Sequence, residues 1–183
     1  YGVYGTANYG TTDWAGYFDG DVHSTGTITS SKAGFRIDNP DDPANSYLNH
    51  AYVASSELKT IYDGTVVLEA DGRAVVELPD WFETINESVR YQLTPLGAAA
   101  PNLHIAETIV HGRFVVAGGT PGQQICWQVT GVRRDPAAAR EAFEVEEQKL
   151  PNDHGMYVSP ELFGASDEKR MARPERREPQ ISK

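Results

Sequence analysis

Cysteine is nearly missing from this sequence: Cys126 is the only one in 183 residues. No internal disulfide can form, and no cysteine zinc cluster can be assembled. Long apolar runs are missing too, and none approaches the about 18 residues that a membrane-spanning helix requires. Methionine and leucine are scarce while Gly, Val, Thr and Tyr are plentiful, a balance that disfavours a helical bundle and favours β structure. Positive charge is in short supply: 16 Lys and Arg face 26 Asp and Glu, for a net −10. A dedicated nucleic-acid binder would carry the opposite imbalance. The length suits one domain with an appendage or two small domains, and it suffices to bury a sizeable core.

Composition divides the chain into three parts. Residues 1–34 hold 7 of the 17 glycines and 4 of the 9 tyrosines, with Asp13, Asp19, Asp21 and Lys32 as their only charges. Residues 35–135 hold most of the apolar alternation and a net charge of −6. Residues 136–183 mix acids, bases and prolines at 136, 151, 160, 174 and 179, and read as a tail. A chain that opens on Tyr1 inside a patterned run reads as the C-terminal part of something longer or as a processed product, with any secretory signal upstream.

In the opening segment Tyr-Gly recurs at 1–2, 4–5 and 9–10, and Gly-Tyr follows at 16–17. Aromatic or β-branched pieces punctuated by Gly suit short strands joined by tight turns. Such pieces gain stability by stacking or by winding several chains together. A flexible linker would favour Ser and Pro over Tyr, Trp and Phe. The segment Gly16-Tyr17-Phe18-Asp19-Gly20-Asp21-Val22-His23-Ser24-Thr25-Gly26-Thr27-Ile28, after its Tyr-Gly units, resembles the shaft end of bacterial and phage trimeric fibre proteins. The stretch from Phe35 to His50 is similar to the head of bacterial surface proteins with such arrays. The similarity runs on through Leu78-Pro79-Asp80-Trp81-Phe82-Glu83, Trp127-Gln128-Val129-Thr130-Gly131 and Pro160-Glu161-Leu162-Phe163-Gly164. The resemblance implies a homotrimeric, extracellular fibre on a cell surface or a virion-like particle. It implies no reaction.

The expected fold class is mainly β: a trimeric β shaft over 1–34, an antiparallel β-sandwich-like head over 35–135, and a short helix with an extended tail over 136–183. Within the head, Thr65–Pro79 places Asp71-Gly72 between two apolar β-branched runs and predicts a two-residue hairpin. Residues 80–87 read as a short helix or turn, with Asp80 as N-cap, Glu83 at the capping-box position, and Trp81, Phe82 and Ile85 anchoring it. Further strands are expected over 88–94, 103–110, 112–117 and 123–133, the spacing of a sandwich or barrel. Trp127 alternates with Ile125 and Val129, so it faces the core. Cys126 faces the other way, as a buried inert thiol or in a subunit interface.

Candidate chemistry is thin. Asp38, Asp41 and Asp42, with Asn39 and Asn45, offer hard oxygen ligands to Ca²⁺. The spacing is not that of an EF-hand, and Pro40 and Pro43 suit a solvated turn better. No other cofactor is indicated. The five histidines 23, 50, 104, 111 and 154 show no helical zinc spacing. His104 and Glu107 lie three apart in a predicted strand and should point to opposite faces. Asp80, Glu83 and Glu87 beside Trp81 invite a glycosidase reading, although capping accounts for Asp80 and Glu83, and carboxylate separation is not readable from sequence. Asn86-Glu87-Ser88 matches the N-glycosylation pattern. There is no nucleophile elbow, phosphate loop or dinucleotide fingerprint.

In the tail, Asp135 as N-cap and Pro136 at the first position predict a helix over 137–147. Residues 151–164 have few apolar side chains and suit packing on a neighbouring surface, while 165–183 read as disordered unless captured. The leading functional expectation is a fibre head that binds a cell-surface glycan or protein without inserting in a membrane. Trp14, Tyr47, Tyr52, Trp81 and Tyr157 are the aromatic candidates for sugar contact. A structural filament or sheath subunit is the second reading, and a depolymerase or self-cleaving fibre chaperone the third.

Overall fold

The strands between residues 34 and 133 follow the period-two alternation of the sequence closely. A computed structural model describes residues 5–7, 15, 16, 18, 22, 24, 27–30, 33–140 and 144–171. The protein is mainly β, with eight antiparallel strands in three small sheets among the described residues. A hairpin of β1 (Gly34–Asp38) and β2 (Tyr47–Ala51) forms the first sheet. Then come β3 (Lys59–Val67), β4 (Arg73–Glu77), the one-turn helix α1 (Phe82–Ile85), β5 (Asn86–Pro95), β6 (His104–Val110), β7 (Arg113–Ala117) and β8 (Gln124–Arg133). A second short helix, α2 (Pro136–Arg140), follows. All of these lie in one compact unit, Ser31–Glu147; the other groups Tyr1–Ser30 with Gln148–Lys183. Among the described residues, no helix is long and apolar enough to cross a membrane. The shaft expected over residues 1–34 falls largely outside the described residues.

Six strands form two three-stranded sheets, in the orders β3–β8–β5 and β4–β7–β6. Inward residues of both meet in one core: Leu68, Val76, Phe114, Val116, Ile125 and Val129 are buried there together with Phe82 of α1. Phe114 of β7 lies edge-on to both Tyr91 of β5 and Trp127 of β8, at centroid distances of 5.4 and 5.7 Å. Such edge-to-face geometry suits the ring quadrupoles. Trp127 is core-facing, as its alternation with Ile125 and Val129 requires. Its indole needs room that Gly64, its register partner on β3, provides: a Cβ at Gly64 would stand 2.7 Å from the ring.

Four local expectations are corrected. The Asp71-Gly72 turn exists, with Gly72 at φ +74° and Glu69 N–H donating to Arg73 O. Yet the runs on either side are not a hairpin ladder, because β3 pairs with β8 and β4 with β7. The turn carries the chain from one sheet to the other, and local turn chemistry does not specify which sheet the next strand joins. Helix α1 is capped at Trp81 without a side-chain bond, and Glu83 accepts from the Gly112 amide instead of closing a capping box. Helix α2 starts as expected, with Asp135 Oδ1 accepting from Ala138 N–H, but residues 144–147 are not helical. A stretch that buries no residue lacks the packing that sustains short helices. Lastly, β6 shifts register against β7 between Ile105 and Glu107. This bulge resets the alternation. His104 stands opposite Ala117 and Glu107 opposite Val115, so both point to the same outer face.

In the second unit, 148–171 is organised by turns, with 3-10 segments at Pro151–Asp153, Pro160–Phe163 and Asp167–Lys169. Arg170 clamps it by bonding the carboxylates of Glu161 and Asp167. The segment therefore has local order through Met171, beyond the point where disorder was expected.

Replacing Gly64 by Ala overpacks the space below Trp127 and should cost about 1–3 kcal/mol in urea unfolding. The outward Thr65→Ala next to it should stay within about 0.5 kcal/mol. Equal midpoints for the two would contradict this packing.

Candidate functional site

The β1–β2 hairpin concentrates the side chains with most chemical character. Register pairing puts Phe35 opposite His50 and Ile37 opposite Leu48 on one face; Tyr52 continues that face past the end of β2. Arg36, Asn49 and Tyr47 occupy the other face, where Arg36 Nε donates to Asn49 Oδ1 at 3.0 Å and its guanidinium lies 5.2 Å from the Tyr47 ring centre. The hairpin is internally paired. Among the described residues, no backbone hydrogen bond joins it to the two larger sheets. Its attachment is made of side chains.

The imidazole of His50 is the centre of that attachment. It stacks on Phe35 with centroids 5.2 Å apart and planes 11° from parallel, and meets Trp81 edge-on at 5.3 Å. His50 Nε2 and the Tyr62 hydroxyl form a hydrogen bond of 2.9 Å. His50 Nδ1 is buried and has no partner. Burial, and secondarily the Arg133 charge, hold the imidazole below its ordinary pKa, with Asp135 pulling weakly upward. Tyr62 is pushed upward by burial, against hydrogen bonding from Asn86 and Thr60. Tyr62 also packs edge-on against Phe82 at 4.9 Å, which joins the cluster to the core.

Arg133 closes the cluster. Its guanidinium carbon lies 3.8 Å from the centre of the Phe35 ring, a cation–π contact. The same guanidinium grips Asp135 through Nε to Oδ2 at 2.7 Å and Nη2 to Oδ1 at 2.9 Å. Asp135 is 1% exposed. Burial opposes its charge, but Arg133 and the Ala138 amide outweigh that and hold the carboxyl below its ordinary value. Beside it, Ile37, Pro40, Pro43 and Pro136 line a small cleft of about 230 Å³.

The sequence candidates separate on this frame. Tyr52 and Trp81 belong to the cluster: Tyr52 is 68% exposed, with its ring 6.4 Å from Phe35, whereas Trp81 is half-buried within the attachment. Tyr47, 62% exposed, lies on the opposite hairpin face. Tyr157 is in the other unit, packed on Phe163 at 5.6 Å, and Trp14 lies outside the described residues. Asp41 accepts from the Thr84 hydroxyl at 2.8 Å and Asp42 from the Asn45 amide at 2.7 Å, both within a turn closed by Asn39 and Ser46. Asp38 is exposed at the end of β1. No group of three or more His, Cys, Asp or Glu among the described residues is placed to hold a metal.

Asn86 is 4% exposed, and its side chain bonds Thr60 and the Phe82 carbonyl, so the folded chain does not present it for glycosylation. Cys126 is half-buried on the outer face of β8, not enclosed, near the Thr65 hydroxyl. There it borders a shallow depression of about 320 Å³ with Asp63, Thr65, Gln92, Thr94 and Gln128.

Sequence reasoning missed Phe35, His50, Tyr62 and Arg133 as a group. The available signal was the alternation Leu48-His50-Tyr52, which places a histidine on the apolar face of a strand. No protein-family model matches the chain, and neither a curated protein nor a solved structure matches it.

Removing one partner of a buried ion pair leaves the other uncompensated. Asp135→Asn should therefore cost about 3–5 kcal/mol in denaturant unfolding. In the wild type, the depressed Asp135 pKa stabilises the fold above its unfolded value of about 3.9, and this contribution disappears as pH falls through the native value. The variant should lack that part of the acid dependence; parallel pH profiles would contradict it. Calcium should leave the melting temperature unchanged at millimolar concentration, as measured by scanning calorimetry. A rise would restore the aspartate turn as a cation site.

Proposed function

We propose that this chain forms the shaft end and head of an extracellular, homotrimeric fibre, and that the head binds a glycan or protein on a cell surface. The observation that carries this reading is the β1–β2 hairpin, which displays Tyr52 and Tyr47 to solvent from a base fixed on a rigid β body. Aromatic faces held by a scaffold are effective contact surfaces because they bury much area at little conformational cost. The strand orders support a sandwich-like head. The first strand of the two-sheet body pairs with the last, and the second with the next to last. The chain crosses between sheets at every connection except the β6–β7 hairpin, the pattern of a small jelly roll. The Gly/Tyr-rich opening supports the shaft.

A structural filament or sheath subunit is the second reading. Leu150, Val158, Leu162 and Phe163 of the second unit are all exposed, and an apolar group of this kind suits contact with another chain.

Native mass measurement should give the mass of three chains; a monomer at micromolar concentration would remove the fibre reading, and a ladder of higher masses would favour the filament. On a glycan array the trimer should capture a defined set of sugars. Tyr52→Ala should weaken that capture by on the order of tenfold, about 1–2 kcal/mol. Unchanged capture by both Tyr52→Ala and Tyr47→Ala would dismiss the hairpin as the contact surface.

A further inference from the structure

We infer that His50 is an acid-sensitive latch: adding a proton to its imidazole releases the β1–β2 hairpin, with Tyr52, from the β body. The claim that this regulates recognition rests on the hairpin being the contact surface proposed above. The mechanical claim does not.

The two ring nitrogens of His50 have different surroundings. Nε2 is bonded to the Tyr62 hydroxyl, and Nδ1 is buried with no partner. In the neutral ring one nitrogen carries hydrogen and the other a lone pair. Either tautomer serves the Tyr62 bond, since a phenol can donate or accept. The imidazolium has hydrogen on both nitrogens. Its Nε2–H still meets Tyr62, but Nδ1 must now carry hydrogen as well, which the Nε2–H tautomer avoids, and no acceptor among the described residues meets it.

The groups around the ring do not compensate. Across the hairpin the neighbour is Phe35; from β3 it is Tyr62, neutral at physiological pH; ahead of α1 it is Trp81. From the end of β8 the nearest charge is Arg133, whose guanidinium already lies on the Phe35 ring that His50 stacks upon. A second cation there is repelled. Asp135 attracts it, but both carboxylate oxygens already accept from Arg133, and Oδ1 also from the Ala138 amide. The proton thus places an unpaired hydrogen at an enclosed nitrogen of a half-buried ring, beside a like charge, an unfavourable setting for the cation.

That cost falls on the hairpin because it is the separable part. The two large sheets share a core, and each is held together internally by backbone ladders. The hairpin is held by its inner-face residues Phe35, Ile37, Leu48 and His50 and by the Asp41–Thr84 bond, with no backbone ladder to the body among the described residues. Undocking lets water reach the imidazolium and leaves the body intact. The direction follows from linkage. A histidine whose folded pKa is depressed stabilises docking fully above its free value of about 6.5, and this is lost as pH falls from there through the folded value.

Amide exchange measured by mass spectrometry on the full chain tests this at pH 7.5 and pH 5.0, with each rate divided by its intrinsic rate. Protection of segment 34–51 should drop at pH 5.0 while that of β7 holds, by about tenfold for each pKa unit of depression. His50→Phe, which keeps a stacking ring but cannot gain a proton, should show no selective drop. Equal protection of the hairpin at both pH values, or the same drop in His50→Phe, overturns the latch. Should the variant not fold, the imidazole titration of the wild type by NMR decides: a midpoint at or above 6.5 overturns the proposal, and a depressed midpoint coinciding with hairpin opening upholds it. Capture on the glycan array at the two pH values separates the readings. Selective opening with unchanged Tyr52-dependent capture keeps the latch and removes the regulatory role. Capture that falls along with protection supports both.

Discussion

The carboxamide of Asn86 is the joint on which the arrangement of the β body depends. Its Nδ2 donates to the Phe82 carbonyl of α1 at 3.0 Å, and its Oδ1 accepts from the Thr60 hydroxyl of β3 at 2.5 Å. Its Cβ and amide lie against Gly131 of β8, so closely that a Cβ on that glycine would stand 2.6 Å from Oδ1. One side chain thereby fixes a helix end, an edge strand and the central strand of the same sheet. Each bond contributes only about 0.5–1.5 kcal/mol net, but removing the amide would strand buried partners at a larger cost. Asn86 and Thr60 also temper the effect of burial on the Tyr62 hydroxyl, which bonds His50. The polar chain from Asn86 to His50 links the interior to the hairpin.

That chain explains why the hairpin is ordered. A two-stranded ribbon is marginal in water without a surface to pack on, and the hairpin's inner face carries only Phe35, Ile37, Leu48 and His50. The two phenylalanines hold opposite ends of the junction: Phe82 is buried in the core below Tyr62, and Phe35 lies under Arg133. The Arg133–Asp135 pair works in two directions at once. It caps α2 through the Ala138 amide and supplies the cation for Phe35, so the end of β8, the last strand, supports β1, the first, in a separate sheet. Regions held mainly by side chains open at lower free energy than those held by ladders. Recognition surfaces that must adapt are drawn from such regions.

The strands were legible because their causes are local. Apolar alternation and the glycines at 112, 118, 119 and 122 mark β5 to β8 to within a residue or two. The His111-Gly112 turn, with φ of +52° and +69°, is of the kind that closes a two-residue hairpin. What stayed hidden depends on distant partners. The run Thr65–Pro79 has the local signature of a hairpin, and only the pairing of β3 with β8, some 60 residues on, reveals the crossing. Glu83 has the spacing of a capping box, but Gly112 takes its carboxylate across 29 residues. The bulge that turns His104 and Glu107 to one face leaves no mark in composition. Tyr52 and Trp81 were found as aromatics, yet nothing in the sequence says that Phe35 and His50 lie between them. That relation requires β1, β2, β3, the start of α1 and the end of β8 to converge.

The balance of forces at this convergence suits a switch better than a permanent joint. Aromatic pairs contribute about 0.5–1.5 kcal/mol beyond their buried area, and a partly desolvated cation–π contact contributes about 1–2 kcal/mol. Placing an unpaired charge in the same space costs at least as much as any one of these contacts returns. A junction of a few such contacts lies within reach of one proton, whereas the core of Phe82, Phe114, Ile125 and Val129 has no ionisable side chain to respond. The molecule thus segregates its acid sensitivity. Two sheets close on an apolar interior, and the hairpin that displays Tyr52 is fastened by a histidine whose second ring nitrogen is enclosed without a partner.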